Sequence, residues 1–539
     1  MSHAETGAAP SLNNAPAATA SIWPGIAAGV LFTAAALAIM YFGHLHEDAY
    51  ILFQYSANLA AGNGIAFDLA SGHAEGATDF LWMTALALLT YLKVSPGVAA
   101  AVLNGVGLAV LSHIIIRLRG RLDLVAFLAI AMVSLSGGTA ASLGGFSALA
   151  YGGFFAVLLY NALQRNYTSA VILGLLLAMF RPDGVLLAAG TVIAMFIHAD
   201  AAGRRTLVKA ATGTTIAGLL YFWWRMDYFG LPLPLPLIVK SQGGSVGGSI
   251  KESLSAINLF VLLLVPLLVY AYRHTITLLS KREYAVLLAG PGILLFALSF
   301  AHQSQNIGSR FQFPIIVALV LCYLLMMRSI GQKSRAPLTA LTGAIAIWCI
   351  VSGSSTIHVT TRSLASDVYI NSFPQLLHEN GPWIDNIAIT EAGRFPYWYN
   401  ARQMTDLVGL NSAIAAISGP AQALGERHPS LIFVHHAKQY DTSGLTQDQR
   451  IHVTDARSLD VLKPYTGEKA VVVAPHAALA YAKENDYVAV LVKYGPADTL
   501  FRHVYFLDRS VDIERFLKVL ADSHNTRINY FQSEAMKQQ

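Results

Sequence analysis

Charge is what this sequence has least of. Only 12% of its 539 residues are Asp, Glu, Lys or Arg, against roughly a quarter in soluble globular domains. One water-soluble globule is therefore excluded. Cysteine is scarce as well. Cys322 and Cys349 are the two present, both inside apolar runs, so no disulfide framework is available to a domain outside the membrane. The formal net charge of +5 needs no nucleic acid to explain it. Basic residues sit in short loops between hydrophobic segments, where they read as topology signals.

What is present is apolar sequence, 55% of the chain. From Ile22 to about Gly353 long apolar runs alternate with short polar stretches. From about Ser354 onward acidic, basic and His residues occur throughout, as in a soluble protein. The shift predicts a disordered N-terminus over 1–21, a transmembrane module over 22–353 and an α/β domain over 354–539. The first run, Ile22–Gly43, has no basic n-region and is long enough to span, so it reads as a retained helix. Candidate spans are 22–43, 96–116, 122–138, 146–163, 168–180, 184–199, 206–224, 256–272, 284–301, 312–328 and 336–353. That makes about eleven helices, each judged against the roughly 20 apolar residues a crossing needs.

Phe80–Leu92 is apolar but only about thirteen residues long, too short to cross comfortably. If it crossed, Arg117, Arg119 and Arg121 would fall outside and every later loop would invert. Laid in the interface, it leaves Arg117/Arg119/Arg121, Arg165, Arg204/Arg205/Lys209, Arg273/Lys281/Arg282 and Arg328/Lys333/Arg335 on one side. The positive-inside rule makes that side cytoplasmic. The N-terminus is then cytoplasmic and the C-terminal domain on the opposite, extracytoplasmic side of a multi-pass membrane protein.

The outward loops under this topology carry unusual charge. The first, His44 to about Ser95, opens His-Leu-His-Glu-Asp and continues as Ala49–Ala61, an amphipathic run expected along the membrane surface. Others hold Arg181-Pro-Asp183-Gly, then Arg225 through Lys240, then Gln303 through Pro314 with Arg310. Cations on the disfavoured side call for something to hold them. An anionic ligand at the outer face is the natural candidate.

Glu47 and Asp48 stand where the first helix ends. Adjacent carboxylates can divide two tasks, deprotonating a sugar hydroxyl and holding a divalent cation such as Mg or Mn. The plainer alternative makes Asp48 the N-cap of the helix starting at Ala49, and both can hold together. His44 and His46 offer metal-ligand chemistry or contact lipid headgroups. Arg181 reads as a phosphate ligand or the partner of a catalytic carboxylate, against a simple turn in which Asp183 caps the next helix. Arg225 and Lys240 flank an aromatic, Pro-Leu-rich stretch. Its aromatics are ordinary at an interface, while its cations fit a lipid phosphate. Arg310 either joins them or snorkels to headgroups. Gly243–Gly248 has neither a strand before it nor Lys-Ser/Thr after it, so it reads as a flexible loop and not a phosphate loop. Beyond about residue 415, Ser430–Val434, Ala470–Ala474 and Tyr487–Tyr494 read as strands, with Pro475–Lys483 helical.

The order of these motifs resembles the GT-C superfamily of membrane glycosyltransferases, and within it the cell-wall terminal arabinofuranosyltransferases. The match is carried by Glu47-Asp48 through Asn58, Gly62 and Gly64 to Asp68, then by Glu75-Gly76-Ala-Thr78-Asp79-Phe-Leu-Trp82. Arg181-Pro-Asp-Gly, Arg225-x-x-Tyr-Phe-Gly with Lys240 downstream, Arg310 with Pro314, and Asp385 through Asn411 continue it. Departures are Glu-Asp where Asp-Asp is common, Asp183 where Glu is usual, and Ser147 where related sequences tend to carry Glu. These bear on donor and acceptor specificity.

The resemblance implies a polytopic α-helical fold with interfacial helices in the first outer loop and a C-terminal α/β domain. It implies inverting transfer of a sugar, arabinofuranose first among them, from a polyprenyl-phosphate donor to a cell-envelope glycan. Asp48 or Glu47 would act as the base, and Arg181, Arg225, Lys240 and Arg310 are candidates for the donor phosphate. Asn58, Glu75, Thr78, Trp82 and Asp183 are candidates for substrate binding. Alternatives are a GT-C enzyme for another sugar such as mannose, or a transporter or flippase of lipid-linked glycans. The latter predicts midplane charges and internal repeats, and the sequence has neither.

Overall fold

Apolar runs of this length satisfy their backbone polar groups by becoming helices, because lipid offers no partner for an open peptide group. The computed structural model describes residues 21–240, 246–264, 281–301, 303, 306–329, 335–366, 369–435, 440–442, 450–461, 470–493 and 501–537. Helix lies within each expected span in its described part. Among the described residues, three helices are long and apolar enough to cross a membrane: Trp23–Phe42, Pro96–Arg119, and Gly343–Leu364 within the longer helix Arg335–Ser366. Leu124–Ser134 and Gly137–Leu143, bent by 51° at their junction, pass the same test together, as a broken span or a re-entrant loop. Phe80–Tyr91, Ala148–Leu163, Tyr167–Phe180, Gly184–His198 and Phe313–Met327 are apolar but shorter. The chain is a membrane protein, and among the described residues length and composition alone account for fewer crossings than the expected eleven.

Small residues let the helices meet backbone to backbone. A Cβ on Gly29 would lie 2.4 Å from the carbonyl oxygen of Gly105, and one on Gly153 would lie 2.4 Å from that of Gly107. Lipid tails are as apolar as leucine, so close backbone packing of this kind is what draws helices together. One end of the bundle collects cations. Arg282 donates to the carbonyls of Leu163 (3.1 Å) and Ala162 (2.5 Å). Arg117 lies over the Tyr160 ring at 5.8 Å, and Arg119 pairs with Asp123 at 2.8 Å. Arg273 and Lys333 lie outside the described residues.

The C-terminal domain is built on a six-stranded sheet of order β2-β1-β3-β8-β7-β5. The strands are β1 Asn386–Ile389, β2 Gln403–Asp406, β3 Leu431–His435, β5 Ile451–Asp455, β7 Val488–Val492 and β8 His503–Leu507. A two-residue pair, β4 Tyr440–Asp441 and β6 Asp460–Val461, stands beside it. β1 runs parallel to β2 and β3, while β3, β8, β7 and β5 alternate in direction. The central strands are buried on both faces, which is why they read as unbroken apolar runs.

Three expectations need correction. Ala470–Glu484 is one helix, so Ala470–Ala474 is not a strand. Its core-facing residues Ala474, Ala478 and Ala482 recur every fourth position, a helical stripe that Pro475 does not interrupt. Ala49–Ala60 is helical but does not lie on an open surface. Tyr50 packs 5.2 Å from Tyr397 and 5.5 Å from Trp398 of the C-terminal domain, which covers it. In the glycine-rich stretch, residues 241–245 lie outside the described set, and helix begins at Val246.

Candidate functional site

Five loops, far apart in sequence, meet at the end of the bundle away from the Arg117–Arg282 cations. They are the segments around 44–48, 75–79, 144–147, 181–183 and 306–312. The His46 amide donates to the Gly144 carbonyl (2.9 Å), joining two of them. Gly308, at φ 60°, approaches so closely that a Cβ there would fall 2.3 Å from the Gly137 oxygen. A buried amide network holds this last loop: Gln312 donates to Gln303 (2.6 Å), Asn306 to Gln312 (2.6 Å), and the Phe311 amide to Asn306 (3.1 Å).

The acidic pair is divided. Glu47 accepts the backbone amides of Gly393 (2.6 Å) and Arg394 (2.5 Å), at the start of the Arg394–Tyr399 helix. An anion at a helix N-terminus meets unpaired N–H groups and a favourable dipole. Burial pushes the Glu47 pKa up to about 7, against the pull of Arg394. Arg394 in turn donates to the Leu45 carbonyl through Nε (3.1 Å) and Nη2 (2.6 Å). The Asp48 carboxylate accepts no hydrogen bond among the described residues. Its backbone is helical and its side chain does not cap, so the expected N-cap role is overturned. A divalent cation on the pair would therefore meet one open carboxylate, that of Asp48. His44 does not reach headgroups: it is buried, donates to the Ile528 carbonyl at 2.6 Å, and burial pushes its pKa down to about 3.

Across from Asp48 stands Arg310. Its guanidinium lies 3.8 Å from the Phe146 ring centroid and 5.2 Å from that of Phe311. Nη1 is shielded from solvent and has no hydrogen-bond partner among the described residues. Burial lowers the Arg310 pKa to about 10, while Asp48 and Asp79 oppose the shift. Arg310 does not snorkel outward; it faces inward. Arg181 makes a two-toothed pair with Asp183, through Nε (3.1 Å) and Nη2 (2.8 Å), over the Tyr151 ring at 4.6 Å. Burial works against its charge, and Asp183 and Asp79 more than offset that, so its pKa is raised. Asp183 thus pairs with Arg181 and makes no cap hydrogen bond to its helix.

Asp79 is the residue that sequence reasoning passed over. It is held by Ser147 (3.3 Å) and Thr78 (3.4 Å), and burial raises its pKa, Arg181 opposing. The available signal was a lone carboxylate directly before the apolar Phe80–Leu92 run, opposite the position where Ser147 replaces an acid. Asp48, Asp79, Asp183, Arg181 and Arg310 form one electrostatically linked group.

The remaining candidates have other partners. Arg225 is paired with Glu75, Nε to Oε1 at 2.6 Å, and also donates to the Pro232 carbonyl at 2.9 Å. Asn58 donates to the carbonyls of Ala66 (2.8 Å) and Phe67 (3.2 Å), shaping the first loop. Lys240 ends the short helix Leu235–Lys240, and its side chain lies outside the described residues. Trp82 is buried and lines an apolar groove of about 210 Å³ with Leu103, Val106, Val110, Phe154 and Phe180. Phe180 packs 5.6 Å from Tyr151 and immediately precedes Arg181, so the groove abuts the charged group.

The backbone matches a known structure over nearly its whole length. ArnT from Cupriavidus metallidurans in the apo state superposes with a TM-score of 0.55 at 12% identity, covering 88% of this chain and 97% of that one. This chain shares the fold of that protein. ArnT from the same organism bound to undecaprenyl phosphate gives a TM-score of 0.50 at 11% identity, with coverage of 88% and 97%. Arabinofuranosyltransferase AftD from Mycobacteria gives 0.43 at 13% identity, covering 76% of this chain and 35% of that one. A likeness at that level carries no weight for the donor sugar. No protein-family model matches the chain, and no curated protein matches it in sequence.

Proposed function

We propose that this protein is a GT-C glycosyltransferase that uses a polyprenyl-phosphate sugar at the loop end of the bundle. The observation that carries this is Arg310 Nη1, an unpartnered guanidinium N–H beside the open carboxylate of Asp48, in the same charged group as Arg181, whose neighbour Phe180 lines the apolar groove. A buried donor without a partner is costly unless a ligand completes it. A prenyl phosphate brings both an apolar chain and an anion, and ArnT was solved bound to undecaprenyl phosphate.

In this reading Asp48 takes the proton of an acceptor hydroxyl as its oxygen attacks the anomeric carbon. The bond from that carbon to the phosphate oxygen breaks on the opposite face, with inversion. The phosphate leaves as a stable anion, so no acid is required. Arg310 and Arg181 meet the developing charge from fixed positions, where electrostatic stabilisation is strongest. Asp183 and Asp79 orient Arg181. Arg225, held by Glu75, supports the loop beneath. The proposed orientation places this end of the bundle on the periplasmic face of the bacterial inner membrane. Arabinofuranose is the proposed donor sugar and a cell-envelope glycan the proposed acceptor.

The test is radiolabel transfer from synthetic polyprenyl-phosphate sugars by the full-length protein in liposomes. Acceptor-dependent incorporation supports the reading. Movement of the intact lipid-linked sugar across the bilayer, without transfer from any of them, would refute it in favour of a flippase.

A further inference from the structure

A second group of ligand-type side chains meets inside the C-terminal domain. Glu391 follows β1, His435 ends β3 and His503 begins β8. β1 and β3 are parallel, so Glu391 and His435 leave the sheet at the same end. β3 and β8 are antiparallel, and their register sets His435 directly opposite His503. The side chains converge: His435 Nδ1 is 2.8 Å from His503 Nε2 and 3.2 Å from Glu391 Oε2. One ligand atom from each residue lies within 4.8 Å of the others.

The carriers are rigid. His503 is buried, and Glu391 and His435 are partly so. The His435 amide donates to Thr390 Oγ1 (2.9 Å) and the Thr390 amide to the Phe433 carbonyl (3.0 Å), stitching the Glu391 segment to β3. The Phe433 ring stands edge-on to His503 at 5.0 Å. Ligands mounted on strand ends, with their neighbours packed, are positioned better than ligands on loops.

Two imidazole nitrogens and a carboxylate oxygen form the donor set that zinc-class ions take with one position left open. A shared cation satisfies both nitrogen lone pairs and the carboxylate charge at once. Metal–nitrogen bonds of about 2.1 Å set two nitrogens roughly 3.4 Å apart in a tetrahedral site, so the two nitrogens, now 2.8 Å apart, need to part by only about 0.6 Å. We propose that Glu391, His435 and His503 bind a divalent transition-metal ion of the zinc class, with water in the open position. Glu391 precedes Gly393 by two residues, so the ion braces the segment whose amides hold Glu47. This site is separate from the Asp48–Arg310 group and does not depend on its chemistry.

The experiment uses the purified full-length protein, stripped with chelator and then titrated with Zn²⁺ alone by calorimetry and elemental analysis, and with Co²⁺ by visible absorption. The expected result is one tightly held Zn²⁺ per chain, an intense low-symmetry Co²⁺ band, and loss of both in His435→Asn and Glu391→Gln. Absence of a stoichiometric ion in the unmodified chain overturns the proposal, leaving a histidine–histidine hydrogen bond. Retention of the ion in folded His435→Asn overturns it equally. Where a variant does not fold, the Co²⁺ spectrum of the unmodified chain decides: an intense band supports the site, and a weak octahedral one overturns it.

Discussion

The Glu47 carboxylate lies 2.5 Å from the Arg394 backbone amide, and this contact fixes the loop carrying Asp48 against the C-terminal domain. Glu47→Ala leaves two amides without an acceptor, a loss of roughly 2–3 kcal/mol. Gly393→Ala should be at least as damaging, because its Cβ would fall 2.1 Å from the Glu47 carbonyl oxygen. Thermal unfolding of the purified variants, followed by tryptophan fluorescence, measures both. An unchanged midpoint in Glu47→Ala would deny the contact its role.

The same residue sets a pH dependence. The folded value of about 7 exceeds the ordinary glutamate value of 4.5, so the folded state binds more protons in that window. Stability from this group is fully present below 4.5 and declines as pH rises through about 7. Glu47→Gln should flatten the slope of thermal midpoint against pH between those values. A slope that persists in the variant would assign it to another group.

Arg225 and Glu75 form a pair with side chains only 6% and 10% exposed. Removing one partner from such a pair typically costs about 3–5 kcal/mol, whereas removing both costs far less. Arg225→Ala should be strongly destabilised, and Arg225→Met/Glu75→Leu should recover most of the loss. If the double variant folds but no longer binds polyprenyl phosphate, Arg225 touches the donor as well.

Arg310 should behave in the opposite way. Its guanidinium stacks on Phe146 while Nη1 lacks a partner, so Arg310→Gln should fold with little change in midpoint. Transfer should fall by roughly 100-fold or more, as when a charge-stabilising donor is lost. A variant that unfolds without a specific loss of turnover would make Arg310 structural.

Much of this architecture was legible because lipid imposes simple rules on sequence. Runs such as Trp23–Phe42 and Pro96–Arg119 became helices, and the short Phe80–Leu92 run became a twelve-residue helix, Phe80–Tyr91. Ala470–Ala474 misled because a short apolar run fits a strand or a buried helix equally, and only the alanine stripe beyond Pro475 separates them. At the site, sequence singled out Asp48, Arg181 and Arg310 by their placement in loops expected to face outward. It could not show that Glu47 is taken by amides 346 and 347 residues away, nor that Arg225 belongs to Glu75. Those pairings depend on tertiary contacts that no local pattern encodes. Asp79 was hidden for the same reason: Ser147, Arg181 and Arg310 give it meaning only once the loops converge.

The most direct test is single-turnover transfer by Asp48→Asn, with Glu47→Gln alongside, in the liposome assay. Asp48→Asn should still bind polyprenyl phosphate while its transfer rate falls by a factor on the order of 10²–10⁴, the range for loss of a positioned base. Glu47→Gln should keep most of its rate at low pH. Wild-type turnover by Asp48→Asn would contradict the account.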